Sequence, residues 1–473
     1  MELKVKFDLL KQTYDQPDPV KLLINVGACL DVPTGFFIKG IHGENILNGG
    51  IGGITAVVGR GNRYKSTILH YMMLAAMDRL FSTVQTSAST YDTEINIHEE
   101  ALKRFILRFP NLKDLGLIEN GHWVLTDRTQ YHGNKWHEKT KEYLKMKEAN
   151  SKDLKCSTSF FDRVGKPLSV TLPTFTEIDS FSEFDTEEIV RMQDENEIGD
   201  SGANMMHARL GLAKQRFMME IPPVYSKVNH FLLITAQLGD SMQIASSPYA
   251  APPVKKLQHM GQNDKIKGVS DKFFFLMNSC WHAKSATLLM TKDKTPEYPR
   301  DSSDINSGDT DLNLVTLVQL RSKSGPSGYE ISVVVSQSEG VLPEMTEFHY
   351  IKNMERFGLT GSLQSYSLDI YPDVKLSRTT VRGKLDSDVK LRRALNITSE
   401  LCQLIEYKRE YKALFCTPKE LYEGIKEKGY DWDMILSNTR SWWCLEEDKN
   451  PLKYLSILDL LEMRVGKYKP YWL

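Results

Sequence analysis

The sequence predicts an α/β chain: a mainly parallel central sheet flanked by helices, followed by a small, mainly helical C-terminal region. Three observations lead there. Between residues 54 and 240, apolar runs alternate with helical patterns, the order that parallel strands and their crossovers impose. An apolar run (Ile54, Ala56, Val57, Val58) passes through a Gly-bearing loop directly into an amphipathic segment (Ile68, Leu69, Tyr71, Met72, Met73). Beyond about residue 400 the chain turns helical and aromatic.

Taken in order, residues 1–50 give a charged amphipathic start and a Gly-rich approach, Asn48-Gly49-Gly50-Ile51-Gly52-Gly53. A strand is predicted at 54–58, a helix at 66–80, a strand near 83–91 and a helix at 97–108. The Lys/Glu-rich stretch 134–152, with Trp136, Tyr143, Leu144 and Met146 as its apolar minority, reads as a solvated helix. Residues 160–170 around Arg163-Val164-Gly165-Lys166-Pro167 read as a hairpin. Further strands are expected at 172–178, 230–236, 272–277, 285–290, 313–320 and 329–336. Two Pro-, Ser- and charge-rich segments, 239–268 and 293–312, read as loops. Thr417-Pro418-Lys419-Glu420 carries a capping box with Pro at the first helical position. Leu455 to Met463 is a short helix. Trp432, Trp442, Trp443 and Trp472 are read as core or interface anchors, with stacking on nucleobases as the sharper alternative.

With 473 residues the chain exceeds one compact core, so two or three domains are expected. Net charge is −1, from 60 basic and 61 acidic residues, so any nucleic-acid surface must be a local patch. The opening residues lack the apolar core of a signal peptide, and no run is long enough for a membrane span. Six scattered cysteines without a C-x-x-C pair read as free thiols in a reducing cytoplasm. The histidines show no metal-ligand spacing; His132 and His137 beside Trp136 read as surface and packing residues.

The chemistry concentrates in Gly59-Arg60-Gly61-Asn62-Arg63-Tyr64-Lys65-Ser66-Thr67. A buried strand, a tight loop and a helix N-terminus in that order make a phosphate site. Backbone N–H groups point at the anion and the helix dipole adds partial positive charge. Lys65 would reach the β- and γ-phosphates and the Ser66 hydroxyl would ligate Mg²⁺. Tyr64 stands where the consensus has Gly. A nucleotide hydrolase also needs a carboxylate near Mg²⁺, a base to orient water and a sensor of the γ-phosphate. Asp179, ending a strand with Pro173 near its start, is the candidate for the metal shell. That proline suggests a bend or a sheet edge. Glu94, in Tyr91-Asp92-Thr93-Glu94, is the candidate base. Gln237, ending the strand from Phe231 to Ala236, puts an amide at the C-terminal edge of the sheet, where open α/β folds bind ligands.

These residues, in this order, resemble the RecA-type recombinases, and especially the phage UvsX-like branch. There an aromatic likewise replaces the loop Gly, and a Tyr-Asp-[ST]-Glu segment carries the catalytic glutamate. Glu197-Ile198-Gly199-Asp200-Ser201 resembles the start of the family's first DNA-binding loop. The resemblance implies DNA contacts from Gly199, Asp200, Ser201, Asn204 and Met205. It implies phosphate contacts from Arg209 and Arg216, which sit seven apart on one helix face. Gln237 falls where the family's γ-phosphate sensor leads into a second DNA-binding loop, here 239–264, with Met242, Lys255 and Lys256. Met205, Met206, Met242 and Tyr249 are candidates to wedge between bases. Arg321-Ser322-Lys323 resembles the paired cations that reach a neighbouring subunit's ATP.

The resemblance covers roughly residues 20–400 and divides the chain into four expected parts. These are an N-terminal oligomerisation segment (1–45), a RecA-like ATPase core with the DNA-binding loops (46–345), a small C-terminal subdomain (346–400) and an appended helical, aromatic-rich module (401–473). It implies a DNA-dependent ATPase using ATP and Mg²⁺, filaments on single-stranded DNA, pairing with homologous duplex, and a loading or single-strand-binding partner. No membrane is involved, and the location would be cytoplasmic, the host's if the chain is phage-encoded. A hexameric helicase or DNA-packaging motor would share the phosphate loop, Glu94 and Asp179. A non-catalytic mediator would use the core as a scaffold.

Overall fold

The computed structural model describes residues 16–80, 86–195, 201–240, 257–261, 264–269, 272–301, 303–306, 308, 310–362, 364–446 and 449–473. Gly199, Asp200, Met242, Lys255 and Lys256 therefore lie outside the described residues, as do Glu197, Ile198 and Tyr249.

The described strands up to Val341 are, in chain order, β1 (Phe36–Lys39), β2 (Asn45–Asn48), β3 (Ile54–Gly59), β4 (Ala88–Asp92), β5 (Trp123–Asp127), β6 (Lys155–Phe161), β7 (Pro167–Thr171), β8 (Thr174–Asp179), β9 (His230–Asp240), β10 (Asp264–Ile266), β11 (Ser279–Leu288), β12 (Leu312–Ser322), β13 (Glu330–Ser336) and β14 (Gly340–Val341); short strands beyond residue 358 form two small separate sheets. Ten of β1–β14 build one sheet, ordered β14-β13-β12-β11-β3-β9-β8-β4-β5, with β10 paired to β9. The run from β11 to β5 is parallel, and β12, β13 and β14 extend it antiparallel. The chain is thus α/β, with a large, mostly parallel sheet flanked by helices.

Strand alternation distributes the core. Val57 of β3 and Leu233 of β9 face helix α1 (Lys65–Leu80), in one cluster with Met73 and Leu74. Their neighbours Ala56, Val58, Leu232 and Ile234 face the other way. There they join Trp136 and Leu144 of helix α2 (Gly133–Ala149) and Phe217, Ile221 and Tyr225 of helix α3 (Ser201–Lys227). Both faces of β3 are covered, which explains its continuous apolar run.

Three expectations are corrected. Residues 272–277 were expected to be a strand; Lys272–Leu276 is a helix, burying Phe273 and Phe274. A short apolar run has no period that separates a buried strand from a buried helix. The strand expected at 285–290 starts earlier, at Ser279, because Ser279 to Ala283 pair with β3 from Thr55 to Gly59. Pro173 does not mark a sheet edge: β8 lies between β4 and β9. The proline precedes the strand, where no ladder N–H is needed, and its carbonyl accepts the Thr86 hydroxyl. The hairpin expected at 160–170 forms from β6 and β7.

Residues 22–30 of the expected N-terminal segment contribute Leu22, Ile24, Val26 and Leu30 to the same core as α1. Helix Val389–Tyr407 runs through the boundary expected at residue 400, and residues on both sides share one apolar cluster from Leu289 to Met463. The Thr417–Glu420 capping box forms. Trp432 and Trp443 are anchors: their indole N–H groups donate to the carbonyls of Ile370 at 2.8 Å and Leu23 at 2.9 Å. Among the described residues no helix is long and apolar enough to cross a membrane. All six cysteines are free thiols.

Candidate nucleotide site and loop stems

The site grows from the C-terminal ends of β3, β4, β8 and β9. At Gly59 the strand passes so close to its neighbour that an added Cβ would meet the Ala283 carbonyl at 2.9 Å. The loop then turns through Asn62 and Tyr64, both with φ of 56°. Tyr64 thus adopts the left-handed backbone that the consensus glycine takes without strain. Its carbonyl accepts the Ile68 N–H at 3.0 Å, opening α1. Lys65, Ser66 and Thr67 form the first turn of that helix, so the loop and the helix N-terminus meet as the motif requires.

Lys65 is half-buried, and its ammonium donates to the Arg60 carbonyl at 3.0 Å. Burial lowers its pKa, while Asp179 and Glu94 oppose that shift, so both carboxylates act on the ammonium. Arg60 turns its guanidinium away, pairing with Asp240 at 2.6 Å and Asp264 at 3.3 Å. Those two carboxylates end β9 and begin β10.

Asp179 is buried at the end of β8. Its Oδ1 accepts the Thr235 hydroxyl, and its Oδ2 is buried with no hydrogen-bond partner among the described residues. Glu94 is exposed on the turn after β4. That turn is built by Asp92, whose carboxylate accepts four backbone N–H groups, those of Glu94, Ile95, Asn96 and Ile97, at 2.8–3.0 Å. Thr93 ties the turn to β8: its N–H donates to the Asp179 carbonyl at 2.8 Å, and its hydroxyl bonds with the Ser180 backbone.

Gln237 lies opposite Gly59 in the parallel register of β3 and β9. Its side-chain amide donates to Glu94 Oε1 at 2.9 Å. The strand does not end there, as expected, but continues to Asp240 because β10 pairs with it: Ile266 opposite Leu238, Lys265 opposite Gly239, Asp264 opposite Asp240. The segment expected as the second loop therefore springs from a two-stranded stem, with Gln237 at its root. The Gln237 carbonyl accepts the Lys267 N–H at 2.9 Å.

Lys65, Glu94, Asp179 and Gln237 are thus brought together. Arg321 and Lys323 are not. Arg321 pairs with Cys280 and, through β11, stands level with Ala56, three residues before Gly59. Lys323 lies farther toward the opposite edge, its N–H on the Asn278 carbonyl. The Arg321 guanidinium sits over the Phe275 ring at 5.5 Å. Ser201, Asn204 and Met205 fall in the first turns of α3. Farther along, Arg209 pairs with Glu188 at 3.1 Å and Arg216 with Glu220 at 3.0 Å, both largely exposed.

Sequence reasoning missed several groups. The Asp92 carboxylate was visible only as a letter in the Tyr-Asp-Thr-Glu run, although an Asp just before a turn is a known local acceptor. Glu177, read as an interruption of β8, is fully buried against His70 of α1 at 2.8 Å. Burial raises the Glu177 pKa; for His70, burial pulls down but the adjacent Glu177 wins, and its pKa rises too. Among the described residues no three His, Cys, Asp or Glu side chains converge as a metal site.

No protein-family model matches the chain, and a search of curated proteins finds no significant match.

Proposed function

We propose that the chain is an ATP-dependent DNA recombinase of the RecA type, which forms filaments on single-stranded DNA and pairs it with homologous duplex. One observation carries this reading: the amide of Gln237, at the root of a β-stem and opposite Gly59, bonds to Glu94 over the C-terminal end of β8, beside the loop that carries Lys65. A γ-phosphate at Lys65 would lie in reach of a carboxylate suited to orient water and of an amide whose backbone starts the second loop. Lys65, with the backbone N–H groups of Gly59 to Thr67, would hold the triphosphate, and Glu94 would take the proton of the attacking water.

Mg²⁺ fits the residues present. The unpartnered, buried Oδ2 of Asp179 is an oxygen suited to a hard divalent cation or its bound water, with the Ser66 hydroxyl at the helix start as the second ligand. Bound there, the ion would neutralise charge on the β- and γ-oxygens. Arg321, level with Ala56, and Lys323, bonded to Asn278 near the start of β3, both stand back from their own phosphate loop and suit a role in a neighbouring subunit's site, which would tie hydrolysis to assembly. The segments that follow Glu195 and Asp240, with Arg209 and Arg216, would grip the DNA backbone, so affinity should be salt-sensitive and nearly sequence-neutral. The setting we infer is cytoplasmic.

The test is ATP turnover with and without single-stranded DNA, together with imaging of the complex formed with a non-hydrolysable analogue. Glu94→Gln should keep nucleotide and DNA binding while turnover falls at least tenfold, a barrier rise of about 1.4 kcal/mol or more. Helical filaments support the reading. Closed rings that unwind duplex without forming joint molecules would replace it with a hexameric helicase or motor.

A further inference from the structure

A lysine with no place in the chemistry above is wholly buried. Lys214 lies on α3, the helix that opens at the expected first loop, and its relative exposure is 0%. Its ammonium donates to the Ser182 carbonyl at 2.6 Å and faces the Phe181 ring at 5.7 Å. Among the described residues that carbonyl is its hydrogen-bond acceptor. Holding an ammonium in such surroundings is expensive, and an apolar side chain of the same length would fill the space at lower cost. Burial pulls its pKa down to about 8, against the opposing pull of Glu183 and Asp185.

What surrounds it explains more than packing does. The hydroxyl of the same Ser182 accepts the backbone N–H of Gln237 at 2.8 Å. The Gln237 carbonyl accepts from Lys267, and the next residue, Gly268, leaves the second-loop stem with φ of 64°. Gly268 is so close that an added Cβ would stand 3.1 Å from the Lys214 ammonium and 3.2 Å from the Ser182 carbonyl. Gln237, Ser182, Lys214, Gly268 and Lys267 therefore close a ring of contacts. Through Ser180 and Thr93 the same segment reaches the Glu94 turn.

We propose that Lys214 is a positioning residue that couples the nucleotide site to both DNA-binding segments, by clamping Ser182 between Gln237 and the first-loop helix while resting against the exit of the second-loop stem. This rests on the function proposed above. A displacement of Gln237 moves Ser182, and Lys214 passes that movement to α3. By linkage, DNA that shifts α3 must alter the nucleotide site through the same bonds.

The experiment uses the full chain and compares the parent with Lys214→Met, which keeps length and apolar packing. ATP turnover is measured with and without single-stranded DNA, and DNA affinity with and without a non-hydrolysable ATP analogue. The expected result for Lys214→Met is the parent's nucleotide affinity and DNA-free turnover, with DNA stimulation reduced at least fivefold. The analogue's enhancement of DNA affinity should fall by a similar factor. A residue that merely fills space would change the melting temperature and leave both ratios alone, so unchanged ratios overturn the proposal. Should Lys214→Met fail to fold, Ser182→Ala decides: it keeps the carbonyl on Lys214 but removes the acceptor for Gln237, and must show the same loss of stimulation. An unchanged ratio there overturns the proposal too. A parent that neither binds nor hydrolyses ATP would instead sink the functional reading and this coupling with it.

Discussion

Lys147 makes the stability of this fold depend on alkaline pH. The side chain projects from α2 into the space beside β8 and β9, leaving the residue 4% exposed. Its ammonium donates to the Thr174 hydroxyl at 2.7 Å, and the chain of polar contacts runs on through His230 to Thr176 at 2.7 and 2.8 Å. Burial drags its pKa from an ordinary 10.5 to about 7. His230 is pushed well below its ordinary value, by burial first and by Lys147 second. Between about pH 7 and 10.5 the unfolded lysine holds a proton that the folded one lacks, so stability rises with pH across that window. It falls as pH drops, reaching its floor below the folded pKa. The whole window corresponds to at most roughly 5 kcal/mol, and water penetration reduces it to on the order of 2–5 kcal/mol. Urea unfolding of the parent and of Lys147→Met at about pH 7 and pH 9 reads the effect. The parent should gain on the order of 1–3 kcal/mol more than the variant over that interval. Lys214, with its pKa also lowered by burial, is common to both proteins and cancels in the comparison. Equal pH slopes for the two proteins would refute the reasoning.

Three further outcomes are expected. Asp92→Ala removes the acceptor of four backbone N–H groups, so Glu94 loses its position; turnover should fall at least tenfold with nucleotide affinity unchanged, read by steady-state kinetics against equilibrium titration. Tyr64→Gly should be roughly 1 kcal/mol more stable than Tyr64→Ala, because both lose the ring and only glycine accepts a φ of 56° without strain; thermal or urea unfolding measures the difference, and an alanine variant as stable as the glycine one would count against the strain. Arg321→Ala and Lys65→Ala should each be inactive alone yet regain DNA-dependent turnover when mixed, because a heterologous interface between the two types reunites an intact loop with an intact cation. Persistent inactivity of the mixture, with assembly verified by light scattering, would place Arg321 outside any shared site.

Much of the site was legible because its signals are local. A strand, a Gly-bearing loop and a helix start are consecutive in the chain, so the strand–loop–helix around Lys65 needs no long-range contact to be read. Strand-end positions followed from periodicity, which put Asp179 and Glu94 at the right edge of the sheet. The same logic failed for Lys272–Leu276, where a short apolar run carries no period, and for β8, where a flanking proline was taken for an edge. The boundary expected at residue 400 falls within helix Val389–Tyr407, and a core shared by distant segments leaves no compositional seam to mark such a position.

The sequence by itself determined the α/β class, the strand–loop–helix around Lys65 and the strand-end positions of the carboxylates and amide beside it, because these depend on residue type, short spacing and strand period. Only the tertiary structure decided that Gln237 sits opposite Gly59 and touches Glu94, that Arg60 turns to Asp240 and Asp264, and that Lys214 is sealed beneath Ser182. Each of these joins residues from tens to well over a hundred positions apart. Their meeting is set by strand register and by which helix covers which face of the sheet, and neither quantity is encoded in any single stretch of chain.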